Sequence, residues 1–432
     1  MDSHRLPFTV IFFAYTSWAL ATRVTTSDDE LSLLMAATGT SSSKTRFSTR
    51  RQRRDGVASF EEFVKVHGRN YQPGTEDYKA RQALFEERLA WVESHNSQPG
   101  RLWTAAVNKL ADQTNEELAQ LRGYNRFARP QGHGVGRAPA QLINTGAQEL
   151  RLSDLPAEFT WKGKLGATSE IEDQSSCGSC WAFAAATVLR AHSELYQKDR
   201  KFSVQQIVSC TPNPQECGGQ GGCAGATAEL AMDYVVKKGC DTEDNWPYTA
   251  SDGNCDEAGA ILLESKKASE MGGASFGMMG FQKLAENDLA PLMVALYDQG
   301  PVSISIAAGA AWNHYYGGVF DSCGKDVIID HAVMLVGYGE DEELNVKFWQ
   351  IQNSWGPSWG ENGGMRMLRR SNTEEAAYCG TDDSPEIGSG CKGGPSQVTV
   401  CGTCGILYDT VVPTFKLANG SYWARQGRTP DP

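Results

Sequence analysis

Several things are scarce in this 432-residue chain, and each narrows what it can be. Positive charge is in deficit: 40 Lys/Arg stand against 52 Asp/Glu, a formal net charge of −12. The surface lacks the basic excess that phosphate backbones require, so nucleic acid is not an expected partner. The apolar run at the N-terminus, Leu6–Leu20, has 15 residues, short of the ~20 that span a bilayer. Histidine is sparse, seven in all, and none lies close to Cys401-Gly-Thr-Cys404. That C-x-x-C spacing therefore reads as structural rather than as a zinc or redox site, and neither metal nor cofactor is expected. No internal repeat is visible, which excludes a solenoid.

What is there divides the chain into segments. Leu6–Leu20 ends at Ala19-Leu20-Ala21, the small-x-small spacing of a signal peptidase site. Residues 1–21 read as a cleaved signal; a retained anchor is the alternative, and only then would the protein contact a membrane. Twelve cysteines fit the oxidising route that a signal implies. Residues 22–55, rich in Ser and Thr and closing on Arg50-Arg51-Gln52-Arg53-Arg54, have little to bury and read as a disordered linker. The Arg cluster is either a processing site or a solvated basic run.

Residues 56–123 carry helical spacing, first Phe60, Phe63, Val64 and His67, then Tyr78, Ala80, Leu84, Phe85, Leu89 and Val92 after the Gln72-Pro73-Gly74 break. Residues 124–154 hold a Gly/Pro/Arg-rich stretch without periodicity, an exposed linker suited to an activation cut. In residues 155–413 helical patterns come first (Trp181–Ala191, Ala226–Lys238). Strand-like runs follow (Val302–Ala307, Val333–Gly337, Phe348–Gln352). A helical half followed by a strand half fits an α+β fold with a cleft between two lobes. Residues 414–432 are expected to form a tail beyond the fold. It carries the sequon Asn419-Gly420-Ser421. Residues 1–154 hold 20 Lys/Arg and 17 Asp/Glu, a net of +3, whereas residues 155–432 hold 20 and 35, a net of −15. The halves attract at neutral pH, and the attraction fades as carboxylates protonate.

The chemistry centres on Gln174-Ser-Ser-Cys177-Gly178-Ser179-Cys180-Trp181-Ala182-Phe183. Cys180 opens an Ala-rich helix, whose dipole favours a thiolate at that end. Gln174 carries an amide able to donate to an oxyanion formed beside the sulfur. Cys-Gly-Ser-Cys-Trp resembles the nucleophile segment of papain-like cysteine proteases, specifically the cathepsin L-like branch. That resemblance extends through Asp330-His331-Ala332 to Gly339 and through Asn353-Ser354-Trp355-Gly356-x-x-Trp359-Gly360. Upstream, Asp77, Arg81, Phe85, Arg88, Val92 and Asn96 resemble the spaced helical signature of the family's propeptide, with Arg88 a departure. Ala106, Asn108, Leu110 and Asp112 resemble its second motif.

The resemblance implies a papain-like two-lobed fold, a helical lobe plus a β-barrel-like lobe, preceded by a helical prodomain that lies backwards through the cleft as an intramolecular inhibitor. Of the seven histidines, His4, His67, His95 and His133 fall ahead of residue 155. His192 stands 12 residues along the helix from Cys180, ~18 Å at 1.5 Å per residue. His331, opening an apolar strand, is favoured over His314, which sits among aromatics. Cys180 is then the nucleophile, His331 the base, Asn353 its orienter and Gln174 an oxyanion donor, with Trp355 shielding the His–Asn bond. Proteins and peptides are the implied substrates, cut by an endopeptidase made as a secretory zymogen.

By motif, Gly225 would pair with the substrate backbone, although Ala226 stands where the family has a second Gly. Ser305, Ala332 and Asp409 would line the pocket for the second residue before the cut (S2). There a carboxylate end would admit Arg or Lys besides Leu or Phe. No loop with paired histidines appears, so nothing points to a dipeptide-removing variant. The family pattern implies disulfides Cys177–Cys223, Cys210–Cys255 and Cys323–Cys404. Cys217–Cys240 is a plausible fourth, and the insertion Cys379–Cys404 can hold a staple of its own. Rival readings are a retired papain-fold binding protein and an acyl transferase of the same chemistry. A monomer in a lysosome- or vacuole-like acidic compartment, or outside the cell, is expected.

Overall fold

The computed structural model describes residues 59–123, 150–255 and 272–427. The expected signal (1–21), the linker (22–55) and residues 124–149 of the activation linker lie outside them.

The N-terminal helices are set by their caps and their apolar stripes. Ser59 caps α1 (Phe60–Val66), Thr75 caps α2 (Glu76–Ser97), and Thr114 with Glu117 forms a capping box on α3 (Asn115–Leu121). Helix α2 buries Tyr78, Phe85, Arg88, Val92 and Asn96, the spacing of one helical face. Phe60, Phe63, Tyr78, Phe85, Val107 and Ala111 form a small core of their own. Arg88, the departure from the motif, is buried and donates from Nη1 to Leu110 O at 2.9 Å. Asn96 holds Ala105 from both sides, donating to its carbonyl at 2.8 Å and accepting from its N–H at 2.9 Å. That clamp presents β1 (Trp103–Ala105), a strand the apolar pattern did not reveal.

The strand β2 (Phe159–Thr160) and the short helix α4 (Gly166–Ser169) lead into α5 (Cys180–Tyr196). Of its 17 residues 15 are buried, so α5 is enclosed on nearly all faces. Helices α6 (Val204–Cys210) and α7 (Ala228–Lys238) pack on it, and α8 (Leu289–Asp298) lies within the second half. That half supplies β3 (Met278–Lys283), β4 (Val302–Ile306), β5 (Tyr315–Phe320), β6 (His331–Asp341), β7 (Val346–Gln352) and β8 (Gly364–Arg369). After α9 (Asn372–Ala377) come β9 (Cys379–Asp382), β10 (Val398–Cys401), β11 (Asp409–Phe415) and α10 (Tyr422–Arg425).

Among the described residues one sheet runs β1-β5-β8-β7-β6-β4-β11-β3 with β2 on β6, and β9 pairs with β10 separately. The chain is thus α+β, a helical lobe against a sheet lobe, with β6 longer than its apolar run suggested. Its first nine residues are all buried because α5 covers one side of the sheet there and other elements the rest. The prodomain adds an edge strand: β1 pairs antiparallel with β5, Trp103 opposite Gly318. Trp103 sits 5.0 Å from the Phe320 ring and 2% exposed, so the prodomain and sheet share one apolar core.

One boundary needs correction. The chain beyond residue 413 does not lie outside the fold. Phe415 closes β11, and Trp423, 3% exposed, packs its ring 5.9 Å from Trp161 and 6.3 Å from Tyr196. Burying that indole outweighs the polar composition around it. Ser421 of the sequon is buried as the cap of α10, while Asn419 is exposed.

Candidate active site

An isolated bridge between Asp173 and Trp355 brings the Gln174 segment against the loop after β7. Gln174 N donates to Ser354 O at 2.8 Å, and Ser354 Oγ donates to Gln174 Oε1 at 2.7 Å. The carboxamide is thereby fixed with Nε2 facing Cys177 O and Leu121 O, each at 2.8 Å. Leu121 belongs to the prodomain. Its carbonyl takes the amide that an oxyanion would use.

The next two prodomain residues cover the thiol. Cys180 is 0% exposed, and its Sγ donates to Arg122 O at 3.3 Å. Gly123 follows with φ +76°, and a Cβ there would come within 2.7 Å of Cys180 Sγ. Gly225, φ +95°, approaches so closely that a Cβ would overlap Gly123 O. Both positions need glycine for backbone conformation and for space. Arg122 forms an ion pair with Asp330 at 2.8 Å. Further out, Asn108 Nδ2 donates to Asn313 O at 2.7 Å, and Ala106 N donates to His314 O at 2.9 Å.

His331 and Asn353 meet across β6 and the end of β7: His331 Nε2 lies 2.8 Å from Asn353 Oδ1. The Trp355 ring stands 4.9 Å from the imidazole. His331 Nδ1 has no hydrogen-bond partner among the described residues. His192 is instead held in the core, its Nε2 2.8 Å from Pro301 O, and His314 packs 5.3 Å from Trp91 of the prodomain.

The covered site differs electrostatically from the sequence expectation. Burial pushes the Cys180 thiol up to about 12, against backbone N–H groups of Ala332, Trp181 and Cys180 that pull it down. The helix end that should favour a thiolate is outweighed because the prodomain has removed water. Burial likewise takes His331 down to about 4; the Asn353 hydrogen bond works against this and the Arg122 charge with it. In this state thiol and imidazole are both neutral.

Asp409, Ser305 and Ala332 lie in register on three adjacent strands, Asp409 opposite Ser305 on β11 and β4, Ser305 opposite Ala332 on β4 and β6. Directly opposed residues face one side of a sheet, so the three share a patch. The carboxylate is not open, however. Asp409, 4% exposed, accepts from Ser305 Oγ at 2.6 Å and pairs with Lys283 Nζ at 3.1 Å. Lys283 also reaches Glu229 at 3.4 Å and Glu286 at 3.3 Å. Burial works to raise Asp409, yet Lys283 and hydrogen bonds from Glu229 and Ser305 hold it below the usual carboxylate range. Glu229 is pushed up to about 7, by burial first and the Asp409 charge second. An uncompensated acidic floor, expected from the motif, is therefore replaced by a buried cluster of two carboxylates and a lysine.

The description "Papain family cysteine protease" matches residues 155–389, more than half of the chain, and "Cathepsin propeptide inhibitor domain (I29)" matches residues 60–118. The chain belongs to the papain family of cysteine proteases. An inhibitor domain ahead of a peptidase domain is the layout of a zymogen. The chain is 34% identical over 303 residues to oryzain beta chain of Oryza sativa subsp. japonica, covering 68% of this chain and 58% of that one. To cathepsin L2 of Homo sapiens it is 32% identical over 328 residues, 73% and 87% of the two chains. The solved recombinant stem bromelain precursor aligns with a TM-score of 0.60 at 26% identity, covering 82% of this chain and 97% of its own. The chain spans about three fifths of the length of the first curated relatives it matches.

Within this papain-family frame the structure joins Cys177–Cys223, Cys210–Cys255 and Cys323–Cys404. Cys217 does not pair with Cys240. It bonds Cys391, and Cys379 bonds Cys401 across the β9–β10 pair. Cys240 stays a buried thiol because, just past α7, it turns inward onto Ser203 O at 3.6 Å, away from Cys217. Five disulfides fit an oxidising compartment. No helix among the described residues is long and apolar enough to cross a membrane, and no cluster of metal-ligating side chains occurs among them. Sequence reasoning missed Lys283 and Glu229, which carry no motif and reach Asp409 only through the fold. It also missed Leu121, Arg122 and Gly123 as the residues on the thiol; the helix stop at Gly123 was the available signal.

Proposed function

We propose that the chain is a cysteine-type endopeptidase made as a secretory zymogen and acting as a monomer on proteins and peptides. It would work in an acidic lysosome- or vacuole-like compartment or outside the cell, with a membrane contact only if the signal is retained. The observation that carries this reading is the seat of Leu121–Gly123. The chain's own carbonyl sits on the Gln174 amide and its next residues on Cys180, where a substrate carbonyl would have to be.

Once the cover leaves, water returns and both shifts caused by burial relax, the thiol downward and the imidazole upward. A proton then passes from Cys180 Sγ to His331. The thiolate attacks the peptide carbonyl carbon, and the oxyanion accepts from the Gln174 amide and the Cys180 N–H at the start of α5. His331, held through Nε2 by Asn353, returns its proton from Nδ1 to the leaving amine. Water, deprotonated by the same nitrogen, releases the acid and restores the thiol. Gly225 would pair with the substrate backbone; Ser305, Ala332 and Asp409 would line S2. Activation would cut in the 140–155 linker.

The test is the full-length proform, acidified to pH 4–5 with a reducing agent, with and without Cys180→Ala. Fluorogenic dipeptides with Leu or Arg at the S2 position report hydrolysis, and an epoxysuccinyl reagent reports the thiol. Activity and labelling lost together in the variant are expected. A folded wild type that neither cleaves nor labels would make this a retired scaffold.

A further inference from the structure

The segment between β9 and β10 joins the two lobes. Four consecutive residues, Ser389 to Lys392, touch both lobes. Ser389 N donates to Ile329 O at 2.8 Å, and Ile329 leads directly into Asp330-His331 on the sheet lobe. Gly390 O accepts from Gly218 N at 2.9 Å, on the helical lobe. Cys391 is bonded to Cys217. Lys392 N donates to Gln215 O at 3.0 Å, and its Nζ pairs with Glu216 at 3.1 Å. One end of this span borders Gly225, since a Cβ on Gly225 would lie 2.2 Å from Gly218 O. At the other end, a Cβ on Gly388 would come within 2.4 Å of Ile329 O.

The geometry points to a fixed strap, Ser389–Lys392, that closes the cleft on the side taking the residues before the scissile bond and so limits how many of them can bind. The inference rests on the proposed roles of Cys180, His331 and Gly225. Ile329 and His331 are two residues apart, at most ~7 Å along extended chain, a distance that a bound peptide covers in about two residues. The strap is anchored at that point by the Ser389 hydrogen bond and on the helical lobe by two hydrogen bonds, an ion pair and a disulfide, so a longer N-terminal extension must turn out of the cleft or displace it. Substrates with two or three residues ahead of the cut are therefore favoured, which narrows the proposed endopeptidase toward removing short N-terminal segments.

Activated enzyme should be given a peptide series with one to six residues ahead of a common cleavage site. Non-reducing peptide mapping would establish that Cys217–Cys391 is intact. Expected is a kcat/KM that peaks at two or three residues and falls at least tenfold by five. Opening the strap with Cys217→Ser/Cys391→Ser/Lys392→Ala should flatten the series to within threefold. In a second variant an Asn-Gly turn replaces residues 383–397 and closes the β9–β10 pair at Asp382 and Val398, which are already opposite one another. It should flatten the series too, and its dipeptide turnover reports that the site still folds. A wild-type series that stays level or rises through six residues, with dipeptides cleaved normally, overturns the strap alone. No cleavage of any member overturns the proposed function itself.

Discussion

Gly123→Ala should loosen the zymogen without touching the peptidase domain. The new Cβ would meet Cys180 Sγ at 2.7 Å and Gly178 O at 3.1 Å, and the residue sits at φ +76°. Left-handed backbone costs a non-glycine residue about 1–2 kcal/mol. Relieving the clash lifts the Arg122–Gly123 segment and loses a hydrogen bond such as that from Cys180 Sγ to Arg122 O, about 0.5–1.5 kcal/mol. Together these favour opening by about 2–3 kcal/mol, roughly 30- to 150-fold in population at 1.36 kcal/mol per decade. The assay is alkylation of Cys180 in full-length Gly123→Ala and wild-type proform at pH 7 by an uncharged reagent, read by peptide mass spectrometry. Cys240, buried and remote from the prodomain, is the internal control. Labelling of Cys180 accelerated by less than threefold, with Cys240 unchanged, would refute the reasoning that Gly123 holds the cover closed.

Lys283→Met should raise the ratio of Arg to Leu turnover at S2 at least tenfold at pH 7.5, because Asp409 loses its cation. In the wild type that ratio should fall on acidification through about 7, as Glu229 takes up a proton and the cluster loses negative charge; a pH-independent ratio would count against the assignment. His192, His314 and His331 are each held down at about 4 by burial. The unfolded chain then binds protons first as pH drops below 6.5, so the stabilisation is complete above 6.5 and is lost toward 4. Urea midpoints of the Cys180→Ala proform should fall between pH 7 and pH 4.5, as unfolding free energy drops by on the order of 2 kcal/mol per histidine. His314→Leu should flatten part of the slope. Gln174→Ala in activated enzyme should lower kcat by about 10²–10³ with KM changed less than threefold, as when one oxyanion donor is removed. Equal losses in binding and turnover would assign Gln174 to structure instead.

Elements whose cause is local were legible in the chain's own pattern. Ala-rich spacing after Cys180 makes α5, alternation and apolar runs make β4, β6 and β7, and Tyr78 to Asn96 at helical spacing make α2. That pattern also named a cysteine, a histidine, an asparagine and a glutamine whose chemical types fit one another. Their meeting was decided by tertiary structure. Only the antiparallel β6–β7 pairing sets His331 Nε2 2.8 Å from Asn353 Oδ1, and only the Asp173–Trp355 bridge brings Gln174 against Ser354. Charge balance was likewise invisible. Lys283 and Glu229 come to Asp409 from β3 and α7, and a pKa depends on burial and neighbours that no spacing records. The same holds for Cys217 and Cys391, far apart in the chain and joined because a surface insertion happens to reach across two lobes. Local pattern fixes which segments can form. Which of them touch is settled by the shared core of α5, the sheet and the prodomain, because burying apolar surface is the main force that brings distant segments together.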